Sequence, residues 1–392
     1  MSDGLLNLSV VGYIVAALAL THVTIASVTI YLHRHQAHRA LSLHPAVAHF
    51  FRLWLWLTTG MVTREWVAVH RKHHAKCESE NDPHSPQQEG IWRVLFGGTF
   101  LYRHEAMIPE TIAAYGAGTP DDWVEHKVYS RHRFLGLGVM LVADLLLFGG
   151  VAGAVIFAVQ MVWIPFWAAG VINGVGHYWG YRNFETQDAS RNIVPFGILI
   201  GGEELHNNHH AYGSSARLSN KWWELDIGWL YIRILASLGL ATVRRTAPKT
   251  SFLAGSHVID MEMLRAVVAN RFHVLKLYGT EVVRPVLRAE ARYLQGEAKR
   301  RIQRVRRLIS KEHLALDAAN RRHLKEALQA NHTLQTIYEF RQRLKDLWTQ
   351  QAKTQHEMLA RLQAWCADAE GSGIAALEEF ARQLRGYREQ AA

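Results

Sequence analysis

Residues 134–175, FLGLGVMLVADLLLFGGVAGAVIFAVQMVWIPFWAAGVINGV, carry one charged side chain, Asp144, and no other stretch limits the possible folds as strongly. Roughly 20 apolar residues span a bilayer core. The run therefore predicts two helices, about 134–151 and 153–175, turning near GGVAG at 149–153. A buried hairpin in a soluble protein is the competing expectation. Residues 9–32, SVVGYIVAALALTHVTIASVTIYL, predict a further span, made amphipathic by Thr21, His22, Thr24 and Ser27. Two shorter runs, 46–62 with His49, Arg52 and two Trp, and 226–242, suit helices lying in the membrane interface.

Charge orients these segments. HRHQAHR follows the first span at once, and basic residues mark the cytoplasmic side, so the N-terminus is expected outside. MSDGLLNLSV has no basic segment or small-residue cleavage site, so no cleavable signal peptide is expected. Cys77 and Cys366 are the only cysteines, which excludes a disulfide framework and a thiolate cluster and favours a reducing compartment. The net charge is +10, and residues 251–392 hold 24 Lys+Arg against 16 Asp+Glu. A mean hydropathy near zero averages an apolar, Trp-rich first part with a charged tail.

Histidines gather beside the apolar runs. HRHQAHR holds His33 and His38, with His35 between them; HRKHH holds His70, His73 and His74; HNNHH holds His206, His209 and His210. Positions i, i+3 and i+4 share a helix face, so each HxxHH is expected to aim three imidazoles at one volume. Eight nitrogens exceed one ion and suit two. Asn173 and His177 follow at i, i+4 where the last span ends; His177 adds a ninth nitrogen, and Asn173 suits a metal-bound water. Imidazole leaves Zn, Cu, Fe and Ni open. The soluble di-iron carboxylate pattern needs two Glu-x-x-His motifs, and only Glu203–His206 fits, so that family is disfavoured. His22, His44, His49, His84, His126 and His132 read as interface, packing or supporting groups, and Glu65, Asp82, Glu203 and Asp226 as candidate acceptors for the ligands' second nitrogens. Residues 39–69 are too few to cross a membrane twice. All the histidine groups are therefore expected on the cytoplasmic face of three spans.

At these residues the chain resembles the membrane-bound fatty acyl desaturases, specifically the bacterial acyl-CoA Δ9 (stearoyl-CoA type) branch, over about residues 20–245. HRHQAHR, HRKHHAK and HNNHH carry the resemblance, supported by ENDPHS (80–85), NGVGHYWGYRNFE (173–185), GEELHNNHH (202–210) and WWELDIGW (222–229). It implies an all-α integral membrane protein topped by a cytoplasmic histidine-box di-iron domain. It also implies two iron ions held by His33, His38, His70, His73, His74, His177, His206, His209 and His210, with Asn173 acting through water. Box three begins with His206 where front-end desaturases carry Gln, and no haem-binding HPGG is present, so a separate electron-donor protein of ferredoxin or reductase type is implied. The family usually places two spans before the first box; this chain has about 30 residues there.

The implied reaction removes two hydrogens from adjacent methylenes of a long acyl chain, with O2 reduced to water and two further electrons drawn from the donor. Partners are then a long-chain acyl-CoA or other acyl lipid, O2 and membrane lipid, in the cell inner membrane. The acyl tunnel is expected to draw on Trp54, Trp56, Trp66, Trp163 and Trp179, and a basic head-group surface on Arg64, Arg71 and Arg182. A histidine-box hydroxylase of lipids or alkanes and a non-catalytic metal-binding membrane protein are the competing expectations. Residues 1–250 form the expected membrane domain. Residues 253–392 read as a charged helical extension, interrupted at Pro285 and at GSG (371–373). Donor docking, lipid attraction by KRRIQRVRR (299–307) and oligomerisation are its candidate roles. The second half of this extension resembles helical regions of some transposases, without an acidic catalytic set, and no nucleic-acid partner is expected.

Overall fold

The computed structural model describes residues 4–253, 255, 258–292, 295–296, 300, 304–305, 308–309, 318–349 and 354–390. It separates into two compact units, Met1–Arg182 with Asp188–Ala247, and Asn183–Gln187 with Pro248–Ala392. NFETQ, from the middle of the chain, belongs with the second unit.

In the first unit, α1 (Val10–Ala37) is one 28-residue helix that carries the first histidine box on its own last turns. Ser9 caps α1 by accepting from the Gly12 amide at 3.2 Å. From Ser27 onward α1 widens into a π-helix, closed by His38 N–H donating to the His33 carbonyl at 3.0 Å. Then come α2 (Pro45–Thr58), α3 (Thr63–Lys76) and α4 (Ile91–Ala106). The long apolar run folds as expected into a hairpin, α5 (Leu135–Phe148) and α6 (Gly150–Val175), turning at Gly149 with φ +82°. Of these helices α1 and α6 are long and apolar enough to cross a membrane, while α5, at 14 residues, is shorter than the expected span. The last eleven residues of α6, Pro165–Val175, are again π-helical. Thus both widened segments bear predicted site residues, His33 and Asn173.

Close packing joins α4 to α6. A Cβ at Gly98 would stand 2.2 Å from the Ala169 carbonyl oxygen, and one at Gly170 2.3 Å from that of Leu95. Glycine at both positions lets the backbones touch, as in membrane helix pairs. The outer faces of α1, α5 and α6 expose Val10, Ile14, Val15, Leu135, Val142, Leu146, Val151, Val155 and Val162, whereas Thr21, Thr24, Ser27, Thr29, Asp144 and Gln160 are buried. Inside the hairpin the Gln160 amide donates to Asp144 at 2.7 Å. Beyond α6, α7 (His206–Ala211) carries the third box and α8 (Ile227–Ser237) follows. The unit is not purely helical: β1 (Leu41–Leu43) pairs antiparallel with β4 (Ala241–Val243), and β2 (Phe196–Gly197) pairs parallel with β3 (Leu225–Asp226).

The second unit is mainly helical. Its helices α9 (Met261–Ala269), α10 (Arg271–Tyr278), α11 (Arg284–Arg292), α12 (Ala318–Gln329), α13 (His332–Thr349), α14 (Gln355–Glu370) and α15 (Ala375–Arg385) close over one apolar core containing Met263, Tyr278, Ile337, Leu344, Trp365 and Phe380. Buried polar atoms are matched: Tyr278 OH donates to the Ile337 carbonyl at 2.6 Å and Trp365 Nε1 to that of Phe340 at 2.9 Å. Pro285 does not break the helix as expected: α10 runs through a π-helical segment, Gly279–Val283, directly into α11, whose second residue is Pro285, and GSG separates α14 from α15. A strand pair, β5 (Thr250–Phe252) with β6 (Tyr387–Glu389), ties the unit's ends. The inserted loop docks through Glu185 N–H donating to the Phe272 carbonyl at 3.1 Å. The basic run 299–307 lies largely outside the described residues.

Candidate metal centre

The predicted histidines meet in two groups. His33, His38, His70, His74 and His209 form one, and His73, His177, His206 and His210 the other; within each group the ligand atoms lie within 4.8 Å of one another. This corrects the expectation that each HxxHH serves one volume. On α3, His70 and His74 go to the five-histidine group and His73 to the four-histidine group; on α7, His206 and His210 go to the four and His209 to the five. The reason is helical pitch. At about 100° per residue, i and i+4 differ by about 40° around the axis, whereas i+3 and i+4 diverge by about 100°. Each box therefore spans both groups and holds them side by side.

Four carboxylates orient the rings. His33 Nδ1 meets Glu203 at 2.7 Å, His73 Nδ1 meets Asp82 at 2.9 Å, His177 Nδ1 meets Glu78 at 2.9 Å and His210 Nδ1 meets Asp188 at 3.0 Å. Asp82 and Glu203 were expected in this role. Glu65 and Asp226 serve elsewhere: Glu65 pairs with Arg133 at 2.5 Å, and Asp226 holds the buried Arg34 guanidinium at 2.9 and 3.1 Å. Burial alone raises a carboxyl's pKa, but the facing imidazoles outweigh it and keep Asp82, Asp188 and Glu203 below the usual range. Burial in turn holds His70, His74, His206 and His209 well below the ordinary histidine value, so these rings are neutral.

Rings arranged this way call for a cation. Each Nε2 offers one in-plane position, either a proton or a lone pair. Yet His209 Nε2 faces both His33 Nε2 at 3.0 Å and His74 Nε2 at 2.8 Å. Likewise His177 Nε2 faces His73 Nε2 at 3.2 Å and His206 Nε2 at 2.9 Å. One proton or lone pair cannot serve two nitrogens in different directions, whereas an ion at their focus serves all of them. His206 Nδ1, His209 Nδ1 and His210 Nε2 are buried with no hydrogen-bond partner among the described residues. The donor set fits a late first-row metal.

A cavity of about 570 Å³ opens beside both groups. His33, His70, His206, Glu203, His84 and Asn173 line it together with Ile25, Val28, Val69, Leu137, Met161 and Ile164. The Glu65–Arg133 pair, Tyr102 and Arg103 also border it, and the Arg133 side chain is 36% exposed there.

Residues 8–257 match the family model described as Fatty acid desaturase. The chain belongs to the fatty acid desaturase family. It is 31% identical over 231 residues to a Delta-9 desaturase-like 4 protein of Arabidopsis thaliana, covering 57% of this chain and 74% of that one. It is 31% identical over 228 residues to an sn-1 stearoyl-lipid 9-desaturase of Anabaena variabilis, covering 57% and 79%. It is 36% identical over 223 residues to an acyl-CoA 5-desaturase of Anemone leveillei, covering 55% and 65%. Residues 264–392 match a second family model, described as Transposase. The desaturase is thus an oxidoreductase acting on fatty acyl groups.

Of the five tryptophans expected in the tunnel of this desaturase, only Trp66 lines the cavity. Trp54 Nε1 donates to Thr24 Oγ1 and Trp56 Nε1 to the His132 carbonyl, both at 3.0 Å; Trp163 packs on Trp167, and Trp179 is half exposed beside Tyr178. The expected head-group arginines are absent from the cavity wall too. Arg71 donates to the carbonyls of Gln36, Ala37, Tyr115 and Ala117, Arg182 to those of Asp188 and Ser190, and Arg64 lies against Gly116. Of the other histidines, His22 bonds Tyr231 OH, His44 caps α2, His49 packs on Tyr129, His126 pairs with Asp121, and the His132 carbonyl holds Trp56. His84 is buried with its ring centroid 4.4 Å from that of His73. Glu78 and Asp188 were missed; Glu78, four residues after His74 in HHAKCE, was the visible signal, while Asp188 stands alone in ETQDAS.

Proposed function

We propose that this protein is an O2-dependent di-iron desaturase that inserts a cis double bond, at Δ9, into a long-chain acyl group carried on CoA or a lipid. One observation carries the reading: an apolar cavity ends on two groups of imidazoles, each with ring nitrogens converging within 4.8 Å of one another, an arrangement that suits a pair of cations. His33, His38, His70, His74 and His209 hold one iron; His73, His177, His206 and His210 hold the other, and Asn173 positions a water from the cavity wall. When bound, the irons supply the redox chemistry that activates O2.

The chain's own residues do the rest. Ile25, Val28, Val69, Leu137, Met161 and Ile164 take the alkyl chain, each buried methylene contributing about 0.8 kcal/mol. That term is blind to position, so the carbon presented beside His33, His70 and His206 is set by the depth and shape of the wall. Arg133 and Arg103 mark the solvent-facing rim and suit an anionic head group. Glu203, Asp82, Glu78 and Asp188 hold their histidines in the tautomer that turns Nε2 inward. The exposed apolar faces of α1, α5 and α6 seat the unit in a membrane. The histidine side faces the cytoplasm of an inner membrane, where a separate ferredoxin- or reductase-type protein delivers electrons. Expression in a host lacking the activity, with double-bond positions mapped in its lipids, tests the reading. A new Δ9 alkene is expected; a hydroxylated product without alkene replaces the desaturase by the hydroxylase.

A further inference from the structure

The two histidine groups differ in the charge behind them. In the four-histidine group three rings, His73, His177 and His210, give Nδ1–H to carboxylates: Asp82, Glu78 and Asp188. In the five-histidine group His33 alone meets a carboxylate, Glu203, among the described residues. Glu203 is moreover 4.0 Å from Arg34 Nε, a guanidinium whose other side is occupied by Asp226. Arg71 adds positive charge next to the five-histidine group, bonded to the carbonyls of Gln36 and Ala37 just before His38.

The anionic partners are fixed, not incidental. Asp82 also accepts from the backbone amides of Glu78 at 2.8 Å and His84 at 3.2 Å. Glu78 accepts from Ser85 Oγ at 2.7 Å and from the Ala189 amide at 3.2 Å. Asp188 accepts from the Ser190 amide at 3.0 Å. A short loop after α3 and the loop after α6 thus bring three acids to one side of the centre.

An acceptor carboxylate draws the Nδ1 proton outward and makes Nε2 a stronger donor to the metal. Three such partners favour the more highly charged state of an ion; neutral imidazoles alone favour the lower one. We propose that the two irons are electronically inequivalent: the ion held by His73, His177, His206 and His210 keeps the ferric state when the pair holds one electron. The ion held by His33, His38, His70, His74 and His209 is the ferrous partner. Glu78, Asp82 and Asp188 are the positioning residues that impose this order. The inference rests on the di-iron reading above.

The test uses the full-length protein loaded with 57Fe in detergent or lipid, oxidised, reduced by one electron at low temperature and read by Mössbauer spectroscopy. Separate ferric and ferrous components are expected. D82N and E78Q should alter the ferric component's quadrupole splitting and leave the ferrous one in place; E203Q should do the opposite. Each change should also weaken retention of one ion by about 10–100-fold against a chelator. A variant that loses that ion outright reads the same way, since D82N must then retain the iron with the ferrous component's parameters, and E203Q the other. The reverse pattern, or equal effects of all three substitutions on both components, overturns the inference while leaving two bound irons. Failure of the unaltered protein to bind two irons instead overturns the di-iron reading, and the inference with it.

Discussion

Both units of this chain have an apolar core, but they differ in the polar groups they bury and in what they turn outward. Besides Ile30, Tyr31 and Leu55, the first hides Thr21, Thr24, Thr29, Arg34, Asp144 and five of the nine clustered histidines, and turns Val10, Val142 and Val151 outward. The second hides Met263, Ile337, Leu344 and Trp365 and turns Arg and Glu outward, as in the exposed pairs Arg361–Glu357 and Arg382–Glu379. Polar groups in the first unit are held by partners and by helices whose backbones are satisfied internally, which suits an apolar solvent. In the second, water supplies the driving force for burial. A mean hydropathy near zero therefore describes neither unit.

The contrast can be broken by substitution. His209 Nε2 stands between His33 and His74, so H209A should abolish alkene formation and release the ion of the five-histidine group, measured by metal analysis of the membrane-extracted protein. Retention of both ions would separate the histidine groups from metal binding. Next in size, R34M strands Asp226 in the first unit and should cost about 3–5 kcal/mol, read as loss of folded protein after detergent extraction. In the second unit W365A empties the core and should also cost about 3–5 kcal/mol. Its signature is a lowered unfolding transition with both metal ions still bound; release of metal by W365A would show that the units are not energetically separate. G170L forces α4 from α6 at the Leu95 carbonyl and should cost about 1–3 kcal/mol, with product regiochemistry shifting because Gly170 directly follows the cavity-lining Ala169. The smallest effect is at a helix cap: Asp260 accepts from the Met263 amide at 2.8 Å, and D260A should lower the second unit's stability by about 1 kcal/mol in thermal unfolding.

Much of the site was legible because local rules generate it. The hairpin of α5 and α6 follows from a run with one charge, and HxxHH follows from the need to place imidazoles at helical spacing. The tunnel was legible only in kind. Tryptophan is large and apolar, which made Trp54, Trp56, Trp163 and Trp179 attractive as lining. Trp54 and Trp56 give their indole N–H to Thr24 and the His132 carbonyl, Trp163 packs on Trp167, Trp179 is half exposed, and the wall was left largely to Ile, Val, Leu and Met. The head-group arginines failed for a related reason: Arg71 and Arg182 are spent on backbone carbonyls that loops would otherwise leave unpaired.

By itself, then, the sequence determined which nine histidines could meet, because helical spacing is a property of the chain alone, while of the three spans it predicted the structure has two long and apolar enough to cross a membrane. Tertiary structure decided how the nine divide. Within a helix the angle between His73 and His74 is set by pitch. Which ring from another element comes to face each of them depends on packing across more than a hundred residues of chain: His177 for His73, His209 for His74. The same holds for Glu78 and Asp188. No local spacing aims a carboxylate at the back of a ring, and only the fold brings the loops after α3 and α6 to that side of the centre.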